Sequence, residues 1–184
     1  MTVSIQRRRT ISRVKGVPTT PSLRRRMTLM LRALQMPKAE VSILLTDDDE
    51  IQILNREYRS IDRPTDVLSF SLLEGEGARF AGDALGDLVV SITTAARQAR
   101  EAKRPLIDEL TMLLAHGLLH LLGWDHRTTT EDRRMRAETD ALCVAAGAPP
   151  LFALGGVDAR GRSRPTREAT KKAPPRRKSK PAER

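Results

Sequence analysis

Apolar residues recur along this chain with two periods. Val3 and Ile5 alternate with polar neighbours, which predicts a short first strand. Residues 7–21 carry no such pattern and read as a loop. From Ser22 to about Gln35, Leu23, Met27, Met30, Leu31 and Leu34 return at helical spacing, so an amphipathic helix is expected. EVSILLT (40–46) alternates again and predicts a strand with Val41, Ile43 and Leu45 on one face. Thr46 and the acids Asp47 to Glu50 then open a helix, because carboxylates are stabilised at its positive N-terminal end. Ile51, Leu54 and Tyr58 form its apolar stripe, and Pro64 ends it. VLSFSLL (67–73) and LGDLVVSI (85–92) predict two more strands, joined by the glycine-containing loop EGEGARFAGDA. Residues 93–104 predict a mostly exposed helix, and Pro105 stands where a proline begins the next one. That helix, about 106–122, is apolar nearly all round, which marks it as buried. A last helix, about 130–147, sets Met135, Leu142, Cys143 and Ala146 on one face.

Composition divides the chain. Past Gly155 and Gly156 the apolar content disappears, so residues 157–184 cannot build a core and are expected to be disordered. Residues 1–156 form the expected domain. The net charge of +10 is unevenly spread. Residues 1–38 hold ten Lys and Arg and no acid, and 157–184 hold eleven against three acids. The middle, 39–156, has twelve basic and twenty acidic residues. An acidic body with basic ends predicts arms that seek a polyanion, the simpler alternative being that the charge only solvates the ends. The single cysteine, Cys143, excludes an internal disulfide and fits a reducing cytosol. The N-terminus lacks the apolar run of a signal peptide, and charges or histidines interrupt every apolar stretch. A cytoplasmic protein without a membrane span is expected.

The segment HGLLHLLGWDH (116–126) contains every histidine in the chain. His116 and His120 are four apart on the buried helix, so their imidazoles share one face. Gly123 can take a positive φ, end the helix and turn the chain, and His126 arrives from that turn. A lone histidine on an apolar face is usually a satisfied core residue. Three together each need partners for two ring nitrogens, and a shared metal satisfies one on each ring at once. Three neutral nitrogens with no cysteine nearby leave a coordination position open, the layout of a catalytic zinc site. Metzincin proteases use the same spacing, but with a glutamate base after the first histidine. Here that position is Gly117, so a protease would lack its base.

HGLLHLLGWDH resembles the H-G-x-L-H-L-x-G-[aromatic]-D-H signature of the YbeY family, bacterial endoribonucleases of rRNA maturation. NREYRSIDRPTDVLSF (55–70) is similar to a second family segment, and LGDLVVS (85–91) to a third. The resemblance spans about residues 39–148. Trp124 stands for the usual tyrosine, and Ser71 where a proline often follows Ser-Phe. The resemblance implies an α+β fold, a mixed four-stranded sheet packed by about five helices. It implies one zinc per chain on His116, His120 and His126, with His116 also counted as catalytic. It further implies hydrolytic cutting of single-stranded rRNA in 16S 3′-end processing and ribosome quality control. The expected partners are rRNA and ribosomal small-subunit proteins or assembly factors, with no DNA and no membrane.

The family's functional arginine falls on Arg59, where a guanidinium can pair two phosphate oxygens. From spacing alone, Arg59 would read as a cation favoured at a helix C-terminus. Asp66 and Asp125 could each orient a histidine or simply shape a turn. Tyr58, Phe70 and Trp124 lie among apolar neighbours and are expected in the core rather than under bases. No carboxylate base is evident, and an acidic body should repel RNA unless positive charge gathers at the site. Two competing readings stand beside the nuclease. One is a peptide hydrolase, opposed by Gly117, and the other a non-catalytic ribosome-assembly factor with structural zinc.

Overall fold

The computed structural model describes residues 2–152, so the expectation for 157–184 lies outside the described residues. Four strands make one mixed sheet: β1 (Thr2–Arg7), β2 (Glu40–Thr46), β3 (Val67–Ser71) and β4 (Ala84–Ser91). Their order is β1-β2-β4-β3. β1, β2 and β4 are parallel, and β3 runs antiparallel to β4 at the sheet edge. Five α-helices occur among the described residues: α1 (Thr20–Ala33), α2 (Asp48–Arg59), α3 (Ile92–Glu101), α4 (Leu106–Leu121) and α5 (Thr129–Ala145). The fold is α+β, as expected.

The alternation in each strand sorts residues to two faces. Val41, Ile43 and Leu45 of β2 and Leu88 and Val90 of β4 join the main core beneath α1, α4 and α5. Leu68 and Val89 point the other way and pack with Ile51 of α2. α4 is the centre of the main core: Leu110, Leu114, Leu118, Leu119 and Leu121 are completely buried. Each such leucine contributes about 1.5–3 kcal/mol relative to exposure. Gly86 lets β3 approach β4 here. Its φ is +137°, and a Cβ at that point would stand 2.1 Å from the Phe70 carbonyl oxygen.

Differences from the expected elements have local causes. α1 begins at Thr20, because the Thr19 hydroxyl accepts from Ser22 N–H and Pro21 suits the first turn. The segment 7–21 is not featureless: a short 3-10 turn, Arg9–Arg13, buries Ile11 in the core. β3 stops at Ser71 rather than Leu73, since the Ser71 hydroxyl takes the Leu73 N–H and both Leu72 and Leu73 face solvent. Among the described residues no helix is long and apolar enough to cross a membrane.

Cys143 lies on the predicted inner face of α5 and is fully buried. Burial pushes its thiol up to about 12. The thiolate is the reactive form. Native protein should therefore resist alkylation by iodoacetamide and react only as it unfolds. Rapid stoichiometric labelling of the native protein would contradict this placement.

Candidate metal centre

The site grows from the way α4 ends. Leu122 caps the helix and Gly123 follows at φ +82°. Gly123 N–H donates to the His120 carbonyl and Trp124 N–H to the Leu119 carbonyl, both at 3.0 Å. This is the Schellman motif, which glycine permits because it carries no Cβ. The turn brings the Trp124 carbonyl back against the helix, 2.9 Å from His120 Nδ1. A carbonyl can only accept, so Nδ1 carries the proton and Nε2 keeps its lone pair. His120 Nε2 then lies 3.2 Å from His116 Nε2. His126 comes from the turn, and one ring nitrogen from each histidine lies within 4.8 Å of the others.

His116 and His120 are half-buried and His126 is exposed. Burial, with the charges of the other two histidines, pushes His116 down to about 4. Burial is also the main cause lowering His120. Both rings are therefore neutral at pH 7, the state a metal ligand requires. Arg59 is the last residue of α2, and its positive charge is one of the lesser causes lowering His120.

Neither candidate aspartate holds a histidine ring. Asp125 Oδ1 accepts from His126 N–H at 2.7 Å, and Oδ2 pairs with Arg127. It shapes the turn that presents His126. Asp66 accepts from Val67 N–H at 2.8 Å, from the Thr65 hydroxyl and from the Gln98 amide. It touches the site only through its charge, which acts on His116. The orienting partner of His120 is a main-chain carbonyl, which residue spacing does not reveal.

Two other features have no signal in the spacing. The hydroxyls of Ser69 and Ser71 donate to the Gly117 and Leu121 carbonyls at 3.2 and 2.8 Å. They fasten β3 along the half of α4 that carries the histidines. Gly117 itself faces the sheet, where a Cβ would meet Leu88, Ser69 and Val67. The place of the protease base is thus a packing contact.

β3 is an edge strand. Asp66 O accepts from Ser91 N–H and Leu72 N–H donates to Leu85 O, so antiparallel alternation turns the main-chain groups of Ser69 outward. An edge of the kind a peptide hydrolase would use is present, and the base is what is missing.

The aromatic expectations separate. Trp124 packs on the main core and Phe70 on the second cluster. Tyr58 does not join the core: it is 67% exposed and meets Phe70 edge-on at 5.0 Å. It sits in the last turn of α2, over an open part of the sheet face lined by Ser4, Gln6 and Ser42.

Comparison with known proteins gives the same outline. The chain is 47% identical over 133 residues to endoribonuclease YbeY of an Anaeromyxobacter species, covering 72% of this chain and 68% of that one. It is 44% identical over 132 residues to endoribonuclease YbeY of Syntrophus aciditrophicus, covering 72% and 78%. The Syntrophotalea carbinolica endoribonuclease YbeY is 50% identical over 110 residues, 59% of this chain and 73% of its own. The solution structure of TM1509 from Thermotoga maritima aligns with a TM-score of 0.52 at 26% identity, over 79% of this chain and 89% of that one. The profile described as endoribonuclease YbeY matches residues 13–147, and the chain belongs to that family.

Proposed function

We propose that this chain is a zinc-dependent endoribonuclease that cuts single-stranded rRNA in 16S 3′-end maturation and ribosome quality control. Family membership makes it an endoribonuclease, a hydrolase of RNA phosphodiester bonds. The observation that supports zinc is the approach of two Nε2 atoms at 3.2 Å. Two nitrogens bound 2.0–2.1 Å from a tetrahedral zinc stand about 3.4 Å apart. Neutral rings, a ring fixed by a carbonyl and a third histidine from the turn suit the same ion. His116, His120 and His126 would hold it, and when bound it would supply Lewis acidity toward a phosphodiester.

The protein's own groups do the rest. Arg59, whose charge is one of the lesser causes lowering His120, can pair two oxygens of one phosphate. It would orient the scissile phosphate and steady charge that develops on it. Asp66 and Asp125 are occupied by main-chain and side-chain donors, which fits roles in shape rather than in proton transfer. We assign the work to the cytoplasm, with small-subunit proteins and assembly factors as partners.

The test is single-turnover cleavage of single-stranded rRNA fragments by metal-replete protein, with His116→Ala purified in parallel to expose contaminating nucleases. Arg59→Ala should keep its fold and its zinc, yet cleave about 10²- to 10³-fold more slowly, the usual effect of losing one transition-state donor. An unchanged rate would remove Arg59 from the site, and a lost fold would show that its role is structural. Wild type that binds zinc and RNA but cleaves nothing would be the assembly factor instead.

A further inference from the structure

Beyond Arg59 the chain builds a second feature. Arg59 and Arg63 line a cavity of about 240 Å³ together with Asn55, Ile61, Pro64 and Thr65. No carboxylate lines it. The loop that carries Arg63 is held in place from within. Ser60 takes a left-handed conformation at the end of α2, and Ile61 N–H donates to the Asn55 carbonyl. The Asn55 amide, only 4% exposed, donates to the Arg63 carbonyl at 2.7 Å. The nearby acid, Asp62, is engaged by Arg56 and Gln52. Among the described residues neither Arg59 nor Arg63 has a salt-bridge partner.

A helix C-terminus favours one cation, but it does not account for a second arginine on a loop anchored by a buried amide. We propose that this cavity is a second phosphate subsite, in which Arg63 holds a backbone phosphate of the RNA strand next to the one at the histidines. Arg59 belongs to both places: it is the residue assigned above to the scissile phosphate, and its side chain lines the cavity with Arg63. An RNA strand whose scissile phosphate lies on Arg59 would bring a neighbouring phosphate to Arg63, in the same cavity. Guanidinium forks match phosphate oxygens, and here they supply local positive charge in an acidic body. The inference rests on the reading of the chain as an RNA-cutting enzyme but concerns binding alone.

The experiment uses zinc-loaded full-length protein and short single-stranded RNAs, each with one neutral methylphosphonate linkage, read by stopped-flow fluorescence anisotropy before cleavage. In the wild type, neutralising one particular linkage should weaken binding about three- to tenfold. Arg63→Gln should weaken binding of the unmodified RNA by a similar factor and flatten the salt dependence of log K by about 0.7. In that variant, the same neutral linkage should have no further effect. Additive losses at every linkage, or unchanged affinity in Arg63→Gln at an unchanged melting temperature, would overturn the subsite. Coupling at one linkage without any RNA cleavage by zinc-loaded wild type would keep the subsite and remove the catalytic reading.

Discussion

Replacing Gly117 with glutamate should unfold the domain, and replacing it with alanine should have a small effect. A Cβ at Gly117 would lie 2.9 Å from Leu88 Cδ2 and 3.2 Å from both Ser69 Oγ and Val67 Cγ2. These atoms belong to two strands pressed against α4, so they can yield by only a few tenths of an ångström. Overpacking of this kind costs about 1–3 kcal/mol. Alanine regains about 1 kcal/mol of helix propensity over glycine, so the net loss should be about 0–2 kcal/mol. Glutamate adds a carboxylate among Leu88 and Val67 with no cation to pair it, a penalty of several kcal/mol. That approaches the whole stability of a domain, about 5–15 kcal/mol. Urea titration followed by circular dichroism gives the comparison. A Gly117→Glu protein melting with the wild type would show that α4 does not pack on the sheet as described. Installing a protease-like base at this position is therefore expected to destroy the fold before any peptidase activity could appear.

Removing His120 should abolish zinc uptake, and with it the extra stability that zinc confers. The ion would join α4 to the turn that carries His126, so its binding stabilises the folded state and not the unfolded one. At a free zinc concentration a hundred times the dissociation constant, that linkage is worth about 2.7 kcal/mol. For a domain of this size it corresponds to a rise in Tm of roughly 5–10 °C. Wild type should show this rise with about one zinc per chain, and chelation should reverse it. His120→Ala should show neither, and its RNA cleavage should fall to the level of chelated wild type. The Schellman turn does not depend on the imidazole, so the variant should remain folded. Wild type purified without metal and indifferent to added zinc would end the zinc reading altogether.

Much of the site was legible in the sequence because its physics is local. A four-residue spacing on a helix puts two histidines on one face in any fold. A glycine three residues on closes the helix with bonds to Leu119 and His120, and so delivers His126 and the Trp124 carbonyl. The periodicities likewise place the four strands and five helices, with boundaries such as Thr19 and Ser71 shifted by a single side-chain cap or turn. They miss the 3-10 turn Arg9–Arg13, and α3, expected to be mostly exposed, buries Thr94, Ala95, Ala96 and Ala99.

What only the tertiary structure decided involves residues far apart in the chain. Ser69 and Ser71 reach carbonyls 48 and 50 positions away, and they show why β3 lies along the histidine-bearing half of α4. Gly117 reads from the sequence as a missing base, and from the packing as a contact with no room for one. Tyr58 continues an apolar stripe, yet is exposed, because it borders an open part of the sheet face lined by Ser4, Gln6 and Ser42. Arg63 is one basic residue among thirty-three until the buried Asn55 is seen to hold its loop beside Arg59. Periodicity fixes which way a side chain points from its own element. What it meets there depends on strand order and on helix placement, which are set by burial summed over the whole core.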